Sequence, residues 1–135
     1  MQPIRNAAVA KAFGTYPTPV RRKLLALREL FFTTAAQAEG VGALEEALKW
    51  GEPAYLTAQT KSGSTVRIAY NPKKPLLYAM YFNCQTKLVE TFKILFSNDL
   101  EFNGNRAIIF EVAGRIPTWE VAWCIAAALT YHRKP

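Results

Sequence analysis

Trp50-Gly51-Glu52-Pro53-Ala54-Tyr55 is the stretch on which the fold turns. The apolar positions just before it (Leu44, Ala47 and Leu48) recur at helical spacing and predict a short helix from Leu44 to Trp50. Gly51 can take the left-handed backbone that closes a helix, and Pro53 two residues later forbids continuation. Residues next to Pro53 are pushed extended, so a strand is expected through Ala54, Tyr55 and Leu56. At this corner a helical layer hands over to a pleated one, with a single carboxylate, Glu52, between two aromatics.

Upstream the pattern is helical. A first helix is predicted from about Ile4 to Phe13, stopped by Gly14 and Pro17. Thr18-Pro19 is a start signal, a capping hydroxyl before a proline whose missing N–H costs nothing there. Leu24, Leu27, Phe31 and Ala35 then share a face, which directs Arg21, Arg28 and Glu29 largely outward. Glu39-Gly40-Val41-Gly42 ends this long helix. On the short helix that follows, Glu45 and Lys49 stand four apart, a surface pair worth about 0.3 kcal/mol.

Downstream the period drops to two. Lys61-Ser62-Gly63-Ser64 supplies a turn, after which Val66, Ile68 and Tyr70 alternate with Thr65, Arg67 and Ala69. Leu76 to Asn83 is apolar on both faces, as a central strand would be. Thr86 can cap a helix bearing Leu88, Phe92, Leu95 and Phe96, and Asn103-Gly104 signals a hairpin joining Leu100–Phe102 to Arg106–Val112. Pro117 opens a last helix with Val121, Cys124, Ile125, Ala128 and Leu129 inward, and His132, Arg133 and Lys134 suit its negative end. Short strand connections force antiparallel pairing. The fold class is therefore α+β: about five antiparallel strands covered on one face by helices, a two-layer sandwich.

The 135 residues suffice for one domain with a single core, spanning 1–135. No window approaches the ~20 apolar residues of a bilayer span, and the N-terminal residues lack the order of a secretory signal. A cytoplasmic protein with no membrane partner is expected. Cys84 and Cys124 match no metal-ligand spacing and read as buried free thiols. Seventeen Lys and Arg against ten acids give a net charge of +7, which favours anionic partners. Only Arg21-Arg22-Lys23 and Lys73-Lys74 cluster, so a solvated basic surface is the simpler expectation.

Several stretches together resemble the YdhG-like domain-of-unknown-function family, number 1801. They are Tyr16-Pro17 with Leu24, Leu27 and Arg28, the Trp50–Tyr55 corner, Tyr81-Phe82-Asn83-Cys84-Gln85-Thr86, Gly104-Asn105-Arg106-Ala107-Ile108, and Ala128-Leu129-Thr130-Tyr131-His132. The likeness runs from about Val9 to His132. It implies a small intracellular, mostly bacterial α+β domain of unassigned activity, one branch of which is proposed to handle iron in the manner of frataxin. It carries over no catalytic residues. Iron would want crowded carboxylates, and Glu45-Glu46 is the sole adjacent acidic pair in a chain whose charge repels cations.

Chemistry-bearing residues are few. Cys84, between a strand and a helix, reads either as a thiol activated by helix N–H groups or as an ordinary packed cysteine, and nothing fixes the lone His132 near it. Glu52 reads as an acid desolvated by Trp50 and Tyr55, or as a solvated turn residue with those aromatics plugging the core. Tyr70, Tyr78, Tyr81 and Phe82 can stack bases on an exposed sheet face or fill the core. Trp119 and Trp123 form a ridge that is core by default and a partner or dimer surface if exposed. No glycine-rich phosphate loop is present and no cofactor is expected. The residues favour a non-catalytic domain that binds a small molecule or protein, as monomer or homodimer, where the Trp50–Tyr55 corner meets the sheet and the last helix. Its candidate contacts are Trp50, Glu52, Tyr55, Arg67, Cys84 and Arg106. Iron binding and a basic nucleic-acid-binding module are the alternatives.

Overall fold

A computed structural model describes residues 2–133. In chain order the elements are α1 (Ala7–Thr15), α2 (Thr18–Gln37), β1 (Glu45–Lys49), β2 (Glu52–Leu56), β3 (Val66–Ala69), β4 (Leu77–Tyr81), α3 (Leu88–Phe96), β5 (Glu101–Asn103), β6 (Ala107–Glu111) and α4 (Thr118–Leu129). The strands form one open antiparallel sheet in the order β1-β2-β3-β4-β6-β5, and the helices cover one face. The expected α+β class holds, with six strands rather than about five among the described residues.

The additional strand is β1, where a helix was expected. Register pairs Lys49 with Glu52, leaving Trp50 and Gly51 as a two-residue hairpin loop with φ of 56° and 76°. Positive φ at both loop positions is the I′ geometry, whose twist matches that of the strands it joins. The left-handed Gly51 is thus present as expected, but it closes a hairpin. Glu45 to Lys49 are good helix formers, and pairing against β2 overrides that preference. Extended backbone separates Glu45 from Lys49 by about 13 Å, so the expected surface pair does not form. In such a hairpin the pair after the closing one makes no ladder bonds, so Pro53, opposite Leu48, sacrifices none with β1.

Other ends shift for local reasons. Asn6 caps α1 by accepting from the Ala8 and Val9 N–H groups at 2.9 and 3.1 Å, so the helix begins at Ala7 and runs past Gly14 to Thr15. Thr18 is the first residue of α2, not its cap. The β2–β3 loop closes the end of α4: Ser62 Oγ donates to Leu129 O at 2.8 Å and Ser64 N–H to Ala128 O at 2.9 Å. Gly63 is required there, since a Cβ would lie 2.6 Å from Leu129 backbone atoms. Lys134, expected at the negative end of α4, lies outside the described residues.

The core lies between sheet and helices. Ile68, Met80 and Ile108 face it in one register row, Tyr78 and Phe110 in another, against Leu24, Leu27 and Phe31 of α2 and Val121, Ile125 and Leu129 of α4. Tyr55 joins them, stacked on Phe31 at 4.4 Å between centroids. Arg28, expected outward, is fully buried. Its guanidinium grips Glu46 through two bonds (2.6 and 3.0 Å) and donates to the carbonyls of Gln2 and Pro3. Tyr55 Oη donates to the same carboxylate at 2.8 Å, and Phe32 lies under the guanidinium at 4.8 Å. Burial opposes the charge on Arg28, but the bonded Glu46 carboxylate outweighs it and raises the guanidinium pKa. A β1 strand places Glu46 toward the helices, and a buried carboxylate needs a cation.

Candidate functional site

Side chains alternate across a strand, so every core row has a counterpart on the helix-free face. One such row crosses the whole sheet: Ala47, Ala54, Arg67, Tyr81, Ala107 and Asn103. The next carries Ala69, Ala79 and Ile109. Ala54 and Ala107 are fully buried without a helix over them, sunk between taller neighbours. Arg67 and Tyr81 stand between these alanines in the row, and two open recesses on this face share Tyr81.

The first recess, about 380 Å³, brings together Trp50, Arg67, Cys84 and Arg106 with Lys49 and Tyr81. These come from the β1–β2 hairpin, β3, the end of β4 and the segment after it, and the β5–β6 turn. Arg67 and Arg106 both place their guanidinium carbons over the Tyr81 ring, at 5.5 and 5.7 Å from its centroid. The second recess, about 480 Å³, is lined by Glu52, Tyr70, Lys74, Tyr81 and Asn103 among others.

The six candidate residues therefore divide. Trp50, Arg67, Cys84 and Arg106 share one recess, and Glu52 lines its neighbour, tied to Arg67 by an ion pair of 2.5 Å. Tyr55 faces the opposite way, into the core, and lines neither. The last helix also contributes to neither, so the site lies on the far side of the sheet from where the last helix was expected to help form it. The corner does not sandwich Glu52 between Trp50 and Tyr55: Trp50 is 90% exposed and Tyr55 not at all. Burial still raises the Glu52 pKa, against the lowering effect of Arg67. The Glu52 charge in turn adds to burial in pushing the Tyr16 hydroxyl up to about 12.

Among the sheet aromatics, Tyr78 and Phe82 are buried and Tyr70 and Tyr81 half-buried; Tyr70 and Tyr78 border the second recess, Phe82 the first, and Tyr81 both. Cys84 is exposed, unlike the buried thiol expected, whereas Cys124 is buried. Trp119 and Trp123 are 68% and 38% exposed rather than core, packed edge-on against Phe96. Glu45 and Glu46 alternate onto opposite faces of β1, and Arg28 and Tyr55 occupy the Glu46 carboxylate. No group of three or more His, Cys, Asp or Glu positioned to hold a metal occurs among the described residues. No helix among them is long and apolar enough to cross a membrane.

Sequence reasoning missed Lys49 as a site residue, and named Tyr81 only as one of four aromatics that could stack bases or fill the core. Nothing in the local spacing of Lys49 sets it beside Tyr81; only the folded sheet brings the two to one recess. Compared with protein-family models, curated proteins and solved structures, the chain matches none.

Proposed function

We propose that this chain is a non-catalytic cytoplasmic domain that binds a small molecule on the helix-free face of its sheet. The observation that carries it is the convergence of Trp50, Arg67, Cys84 and Arg106, from four separate places in the sequence, on one recess of about 380 Å³. That volume is within the range of small-molecule sites. The conformation of Trp50 supports the reading: a bulky residue at φ 56° costs on the order of 1 kcal/mol, where Asn or Gly would not. Strain kept in an exposed turn points to a use for the side chain. The YdhG-like resemblance stands beside it as a proposal of kinship.

A fragment screen followed by backbone amide NMR tests the site. Shift changes should concentrate at Lys49, Arg67, Tyr81, Cys84 and Arg106. Hits that map instead to the α3–α4 surface around Trp119 would move the function to a partner-binding ridge.

A further inference from the structure

The recess has a definite electrical character. Lys49, Arg67 and Arg106 line it and, among the described residues, no carboxylate does. Arg67 is neutralised by Glu52 from the adjoining recess. Lys49 and Arg106 make no side-chain ion pair or hydrogen bond among the described residues, and both are exposed. Two uncompensated cations on a concave surface create a potential that gathers anions and repels metal ions and amines. A guanidinium also offers a planar fork of donors suited to carboxylate or phosphate.

The rings set the second requirement. Tyr81 and Trp50 both line the recess, Trp50 on a two-residue turn that leaves it 90% exposed. An exposed indole and a phenol flanked by guanidinium groups offer flat surfaces to another flat group.

Resting on the binding reading above, we infer that the ligand is a planar anion of nucleotide size: an aromatic ring held by Trp50 and Tyr81, with its phosphate or carboxylate met by Arg106 and Lys49. A mononucleotide and the terminal nucleotide of a single strand share this chemistry.

AMP is the probe, titrated at low salt and followed by amide NMR and by quenching of Trp50 fluorescence in a Trp119→Phe/Trp123→Phe background. Adenosine, inorganic phosphate, benzamidine and a single-stranded dA8 are the comparison arms. AMP should shift the Arg67, Tyr81, Cys84 and Arg106 amides with at least ~10-fold higher affinity than adenosine or phosphate, the equivalent of one charge-assisted contact. Arg106→Gln, an exposed change that leaves the fold intact, should lower AMP affinity ~10-fold, and Lys49→Gln should add to it. Tighter binding of dA8 at the same amides supports the same chemistry and assigns the source as a strand. Adenosine or benzamidine binding the recess as well as AMP overturns the anion requirement while leaving the site itself in place. A recess untouched by these probes and by every fragment overturns both.

Discussion

Replacing Arg28 with alanine should be among the most damaging single changes in this protein, although it touches neither recess. The substitution leaves the Glu46 carboxylate, whose side chain is 8% exposed, with only the Tyr55 hydroxyl for a partner. It also strips donors from the Gln2 and Pro3 carbonyls and the cation from Phe32. Removing one partner of a buried pair costs about 3–5 kcal/mol. For a domain of 135 residues each kcal/mol corresponds to about 3–5 °C, so the melting temperature should fall by roughly 10–25 °C. Urea denaturation of Arg28→Ala would show a lower midpoint with an unchanged slope. The apolar triple variant Arg28→Met/Glu46→Leu/Tyr55→Phe should recover most of the loss, because it removes every charge and donor together. A loss below about 1 kcal/mol, the value of an exposed pair, would refute the claim that Arg28 holds a buried charge.

Trp50→Asn should raise stability by about 1 kcal/mol, since Asn tolerates the left-handed turn, while weakening AMP binding; destabilisation on chemical denaturation would mean that the indole packs on the fold. Glu52 has a folded pKa raised above its unfolded one by burial, so its contribution to stability is present in acid and is lost as pH rises through the folded pKa. Glu52→Gln should therefore gain on the parent as pH rises from about 4 to 7, and a difference independent of pH in thermal melts would contradict the shift. Iodoacetamide at neutral pH should modify Cys84 well before Cys124, whose thiol is pushed up to about 12 by burial and by Glu120; equal rates by mass spectrometry would show the interior to be open.

Element types follow from local sequence wherever a long period or strong punctuation speaks. The α2 stripe of Leu24, Leu27 and Phe31, the alternation of Val66 and Ile68, the hairpin near Asn103-Gly104 and the start of α4 after Pro117 all appear, although Asn103 stays in the strand and the turn runs through residues 104–106. Each is set by backbone preference and side-chain spacing within one segment. Three matters were decided only by tertiary contact. Glu45 to Lys49 have helix-forming residues and became a strand because β2 offered a ladder; Arg28 turned inward because that strand put Glu46 beneath it. Trp50 and Tyr55, neighbours in a short motif, went to solvent and to the core because a two-residue hairpin sends its loop outward and its arms across a sheet. The recess belongs to the same class. Lys49, Arg67, Tyr81, Cys84 and Arg106 carry no common spacing along the chain, and only cross-strand register makes them neighbours.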